Sequence, residues 1–89
     1  MTLYTWDETK RESNLRKHGL DFADARALLM ADIYIVEDMR FHYTEPRYNV
    51  YAWLEGSLVR ITLEKRHGIR IISFRRASQR EKKVLGRAR

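Results

Sequence analysis

The chain has 89 residues, no cysteine, and 18 Lys and Arg against 12 Asp and Glu, for a formal net charge of +6. A chain of this length builds one small core and buries only about 60–65% of its unfolded surface, so residues 1–89 are read as a single domain. The missing cysteines exclude disulfides and thiolate metal sites, no stretch approaches a membrane-spanning helix, and the opening MTLYTWDETK has no apolar signal core; together these predict a soluble cytoplasmic protein.

Thr2 to Trp6 reads as a short strand. Asp7 is placed to cap a helix running to about His18, with Gly19 as its C-terminal stop. Asp21 can cap a second helix, in which Phe22, Ala25, Leu28 and Leu29 recur on one face until Asp32. The period then changes to two. Ile33 to Glu37 is a strand, Met39 to Pro46 a loop, and Tyr48 to Leu54 a clearly alternating strand. Glu55-Gly56 offers a tight turn into Ser57 to Lys65, and His67-Gly68 a second turn into Ile69 to Arg76. The last element, Ser78 to about Leu85, is helical, with Ser78 and Glu81 in capping-box spacing. The expected fold is α+β: a short N-terminal strand, two helices, an antiparallel sheet meander and a C-terminal helix.

Two-residue turns fix a register that can be written out in advance. Val59 then faces Ala52, Ile61 faces Val50 and Phe74, and Leu63 faces Tyr48 and Ile72, which makes one sheet face apolar across three strands. Arg70 and Arg76 fall on this side near the strand ends. The opposite face collects Asn49, Tyr51, Trp53, Arg60, Thr62, Glu64, Ile71, Ser73 and Arg75, with Arg60 directly opposite Arg75. Like charges in a cross-strand pair are destabilising unless compensated, and a bound phosphate would compensate them. Tyr51 and Trp53 offer flat faces for unpaired bases, and Thr62 and Ser73 offer hydroxyls. An ordinary solvated face, with Glu55 or Glu64 neutralising the arginines, is the plainer alternative.

Charge is segregated in the same direction. Residues 60–89 carry 11 basic and 2 acidic side chains, +9, whereas residues 1–59 carry 7 basic and 10 acidic, −3. Such a basic half is the electrostatic footprint of a polyanion-binding surface, without separating RNA from DNA or from an acidic protein. The first helix is unusual too. Leu15 is its one aliphatic side chain between Glu8 and His18, so amphipathic burial explains it poorly, and its end is rich in phosphate-binding and proton-transferring types: Arg16, Lys17 and His18. Cations at a helix C-terminus are also favoured by the helix dipole alone.

The segments Tyr4-Thr5-Trp6-Asp7, Lys10, Asn14, Lys17-His18-Gly19, Phe22 and Ala25, with Arg70-Ile71-Ile72-Ser73, Arg75, Ala77 and Glu81 near the other end, resemble the BrnT toxins of BrnT/BrnA type II toxin-antitoxin systems. Glu45-Pro46-Arg47 and the following hairpins resemble the middle of the family, so the likeness spans nearly the whole chain. It implies a RelE-like fold, ribonuclease activity that inhibits translation, and neutralisation by a BrnA-type antitoxin with a ribbon-helix-helix DNA-binding domain. It further implies a heterotetramer of two toxins and two antitoxins, which meets operator DNA through the antitoxin. Phe74, Ala52 and Leu85 depart from the family pattern, Leu85 standing where a Tyr is frequent.

The expected chemistry is metal-independent RNA cleavage, with no cofactor, by attack of a 2′-OH on the adjacent phosphorus. Arg60 and Arg75 are candidates for charge stabilisation and Ser73 for phosphate positioning; His18 or Lys17 would move protons, with Glu64 and Glu81 as further candidates. Tyr51, Trp53, Thr62, Arg76 and Arg80 are expected to bind RNA. His42 and His67 look isolated, and no His pair has ligand spacing, so no metal site is expected. A non-catalytic nucleic-acid-binding module and a pure antitoxin-interaction domain are the rival readings.

Overall fold

A computed structural model describes the backbone of residues 3–31 and 33–88 and the side chains among them up to Leu85. The elements are β1 (Tyr4–Thr5), α1 (Glu8–His18), α2 (Phe22–Leu28), β2 (Tyr34–Glu37), β3 (Arg47–Leu54), β4 (Ser57–Lys65), β5 (Ile69–Arg76) and α3 (Gln79–Ala88). This is the α+β order expected from the sequence. Five strands form one sheet in the order β1-β5-β4-β3-β2. The meander β2 to β5 is antiparallel, and β1 adds a parallel edge to β5.

The helix ends are set by the residues that the sequence singled out. Asp7 accepts from the Lys10 N–H at 3.1 Å to open α1, and Gly19 closes it at φ 70° with its N–H donating to the Leu15 carbonyl at 2.8 Å. Asp21 caps α2 through the Ala23 N–H at 3.0 Å. The second helix is shorter than expected, ending at Leu28, and Asp32 lies outside the described residues.

The first hairpin turns through Glu55 (φ 49°) and Gly56 (φ 81°), both left-handed as a two-residue type I′ turn requires, so β3 and β4 pair in the expected register. The second hairpin corrects the sequence reading. Lys65 pairs with Ile69, so the turn has three residues, Arg66 to Gly68, with His67 at φ 48° and Gly68 at φ 109°. That longer turn shifts the register by one residue: Leu63 pairs with Ile71 rather than Ile72, and Arg70 pairs with Glu64 on the face opposite the core. A bulge between Thr62 and Leu63 takes up the extra residue, and beyond it Thr62 pairs with Ser73, Ile61 with Phe74 and Arg60 with Arg75, as expected. Ile71, assigned in advance to the open face, is therefore a core residue at 1% exposure.

The core lies between that sheet face and the first two helices. Phe22 and Ala25 of α2 meet Val50, Ile61, Ile71 and Phe74, all fully or nearly fully buried. α1 is attached differently, which accounts for its poor apolar pattern: its buried residue is Asn14, while Leu15 is exposed. The Asn14 amide donates to the Phe74 carbonyl at 2.7 Å and to the Leu20 carbonyl at 3.0 Å, and its Oδ1 accepts from the Phe74 N–H at 3.2 Å. One side chain thus satisfies the edge of β5 where the two-residue β1 has ended. No helix among the described residues is long and apolar enough to cross a membrane.

Candidate functional site

On the face away from the core, Tyr51, Arg60 and Arg75 lie side by side on β3, β4 and β5. The opposition of Arg60 and Arg75 is compensated within the chain. Glu81, from the first turn of α3, inserts its carboxylate over the row. Its Oε1 accepts from Arg75 Nη1 at 2.9 Å and the Ser78 N–H at 2.8 Å, and its Oε2 accepts from the Tyr51 hydroxyl at 2.7 Å and Arg60 Nη1 at 3.2 Å. The Glu81 N–H donates in return to Ser78 Oγ at 3.2 Å, completing the capping box. The neutralising carboxylate is thus neither Glu55, at the exposed β3–β4 turn, nor Glu64, which lies 3.7 Å from both Arg47 and Arg66.

This arrangement has definite electrostatics. Burial pushes the Glu81 carboxyl up, but the Ser78 N–H, the Arg75 guanidinium and the Tyr51 hydroxyl outweigh it and hold the pKa at about 2. Burial and the neighbouring Glu81 raise the Tyr51 phenol. The Arg60 side chain is only one-fifth exposed, and its Nε is buried with no hydrogen-bond partner. An unpaired buried donor costs about 1–3 kcal/mol. The fold carries that cost to hold the guanidinium head in this row.

His18, at the end of α1, belongs to the same neighbourhood. Burial, then the charges of Lys17 and Arg75, lower its pKa from the ordinary imidazole value. Arg76 Nη1 donates to the His18 carbonyl at 3.2 Å, tying the helix end to the end of β5. Lys17 and Arg80 are exposed, on α1 and α3. Ser73 is half-buried in the neighbouring row, paired with Thr62. The Thr62 hydroxyl is less available than the sequence suggested: it donates to Asn49 Oδ1 at 3.0 Å, and the residue is 9% exposed. Trp53 lies two residues beyond Tyr51 on the same face and is half-exposed.

Tyr34 was missed. It pairs directly with Tyr51 across β2 and β3 and is half-exposed, so it widens the aromatic surface. The alternation of β3 was visible, but the pairing of β2 depends on how the chain returns from residues 38–46, which no local pattern encodes. Among the described residues, no three His, Asp or Glu side chains gather as metal ligands.

The fold and this face define a small α+β protein whose sheet presents two arginines and a tyrosine, bridged by a carboxylate from the C-terminal helix. A family model described as the ribonuclease toxin, BrnT, of type II toxin-antitoxin systems matches residues 6–81, and the chain belongs to that family. Membership makes it a ribonuclease toxin with RNA as substrate and an antitoxin as partner. The match begins at Trp6 and ends at Glu81, so it encloses every member of the cluster. No curated protein matches the chain.

Proposed function

We propose that the chain inhibits translation by cleaving RNA at the Tyr51, Arg60, Arg75 and Glu81 cluster, without a metal ion, until a ribbon-helix-helix antitoxin of the BrnA type neutralises it. The observation that carries this reading is the convergence of two guanidiniums and a phenol on one anionic group. Each guanidinium reaches Glu81 through one Nη1, and a guanidinium has five N–H donors. The terminal N–H groups that Glu81 leaves unused are the donors with which the pair would grip a scissile phosphate beside that carboxylate.

The 2′-oxygen attacks phosphorus, the bond to the 5′-oxygen breaks, and a 2′,3′-cyclic phosphate and a free 5′-hydroxyl result. Arg60 and Arg75 stabilise the charge that develops on the phosphorane oxygens. His18, kept neutral by burial and by the nearby cations, accepts the 2′-OH proton. Lys17 returns a proton to the departing oxygen, and Ser73 donates to the phosphate. Tyr51 and Trp53 bind the flanking RNA by stacking, and Arg76 and Arg80 by charge. Two toxins and two antitoxins make the neutral complex in the cytoplasm, and that complex meets operator DNA through the antitoxin.

The test is incubation of purified protein with RNA in EDTA, beside Arg75→Ala. Cleavage by the parent and a loss of at least about 100-fold in the variant are expected, the range seen when one transition-state donor is removed. Intact RNA with the parent protein, together with unimpaired translation on expression, would sink the nuclease reading.

A further inference from the structure

The connection between β2 and β3 is built more firmly than a plain linker requires. Asp38 is buried, and its carboxylate accepts from the Arg40 N–H at 3.1 Å, Arg40 Nε at 3.0 Å, Arg40 Nη2 at 2.9 Å and the Tyr43 hydroxyl at 2.9 Å. These donors, Arg40 foremost, hold the Asp38 carboxyl well below the usual carboxylate range. What this anchor presents is a series of rings and guanidiniums. Arg40 sits 5.8 Å from the Phe41 ring, Phe41 meets Tyr43 edge-on at 5.8 Å and 73°, and Arg47 lies 4.6 Å from the Tyr43 ring. Phe41 is 66% exposed and so adds little to any core.

The series is continuous with the cluster already described. Arg47 pairs with Glu64 in the register that places Tyr51 against Arg60, so Arg47 shares their face of the sheet, with Tyr43 against its guanidinium. Tyr51 lies four residue steps along β3 from Arg47, about 13 Å at roughly 3.3 Å per step. Stacked nucleotides repeat at about 3.4 Å along a strand, so the separation spans roughly four nucleotides, or fewer if the RNA is extended. Guanidiniums interleaved with rings, Phe41 exposed and Tyr43 half-buried, are the makings of a platform for unpaired bases: a base has a face to stack on at Phe41, and phosphates meet N–H donors held in place by Asp38 and Glu64. A docking patch for an apolar protein segment would not require a guanidinium beside each ring.

We propose that Arg40, Phe41, Tyr43 and Arg47 form a second nucleotide subsite for single-stranded RNA, stacking a base on Phe41 and holding phosphates at Arg40 and Arg47. Asp38 is its positioning residue. The subsite rests on the ribonuclease reading and extends it: it makes affinity depend on RNA length, because only a strand that reaches from the Arg60 and Arg75 row to this loop engages both.

The test is binding of fluorescent 2′-O-methyl oligonucleotides, an octamer and a trimer, which lack the attacking 2′-OH. Phe41→Ala should weaken octamer binding about tenfold, within the range of one base–aromatic stack, and leave trimer binding unchanged. Phe41→Trp should restore it. Arg40→Ala should lower the slope of log affinity against log salt by about 1 for the octamer. Unchanged thermal midpoints confirm that the Phe41 variants fold, as exposure of Phe41 leads one to expect; Arg40→Ala should lower its midpoint, because it takes the Nε and Nη2 donors from buried Asp38, and its salt slope is read well below that midpoint. The proposal is overturned if octamer affinities of Phe41→Ala and Arg40→Ala lie within twofold of the parent, or if trimer and octamer weaken equally. It is also overturned, in favour of a protein-docking loop, if Phe41→Ala spares RNA binding but abolishes rescue by the antitoxin. A parent protein that neither binds nor cleaves RNA fails the ribonuclease reading itself; a parent that does both beside an indifferent Phe41→Ala fails the subsite alone.

Discussion

Replacing Glu81 by Gln is the sharpest test of the cluster, because the amide keeps the size and the capping-box acceptor while removing the charge that Arg60 and Arg75 share. Moving the carboxyl from an ordinary 4.5 to about 2 on folding corresponds to about 3.4 kcal/mol, at about 1.36 kcal/mol per unit. The side chain is still 16% exposed, so solvent screening brings the expected loss nearer to about 2–3 kcal/mol, or about 10–20 °C in Tm for a domain of this size. Glu81 is a group whose pKa is depressed in the fold. Its stabilisation is full above pH 4.5 and is lost as pH falls through about 2. The parent and Glu81→Gln should therefore differ most at neutral pH, and at pH 3 by roughly 40% of that gap. Urea unfolding of both proteins at pH 7, 5 and 3 reads this directly, and the subtraction removes the other carboxylates. Sulfate or phosphate should stabilise the variant more than the parent, since the unneutralised arginines are left to bind an anion. A neutral-pH difference below about 1 kcal/mol, or one of equal size at pH 3, would refute the assignment of Glu81 as the compensating charge.

Asn14→Ala should destabilise by about 2–4 kcal/mol, because it strands the Phe74 N–H and carbonyl in a buried site; urea unfolding measures the loss, and amide exchange at Phe74 should accelerate ahead of Ile61. His18 should titrate below about 6.5 by NMR, since burial, Lys17 and Arg75 all disfavour its protonation. Arg75→Ala should move that midpoint upward, and an unchanged midpoint would separate His18 from the cluster.

The elements were legible because their signals are local. Asp7, Gly19, Asp21, Glu55-Gly56 and the Ser78 to Glu81 spacing each act within four residues, and each does in the structure what its type predicts. The pairing of Arg60 with Arg75 was also found, through two offsetting irregularities: a turn one residue longer than assumed and a bulge that absorbs the difference. Between them the register is displaced, which is why Ile71, Ile72 and Arg70 were misplaced. Asn14 escaped for a different reason. Its partner is the backbone of Phe74, 60 residues away, and an amide replacing a missing strand leaves no periodic trace. Glu81 carried a capping signal strong enough to place it on α3, but a cap says nothing about which sheet row the carboxylate will reach.

That double service of Glu81 ties stability to function. One oxygen joins the α3 cap to Arg75, and the other joins Tyr51 to Arg60, so the helix start and the guanidinium row are fixed by the same carboxylate. Two opposed arginines would otherwise repel across β4 and β5. With Glu81 bridging them they are held in place before RNA arrives, and the cost of ordering two long side chains is met in folding rather than in binding. The same pairing sets a limit on how strongly the row can attract an anion, since one of its two positive charges is already cancelled. A protein that must grip RNA with the remaining charge gains from contacts farther along the strand, which is where the Arg40 to Arg47 loop places its rings and guanidiniums.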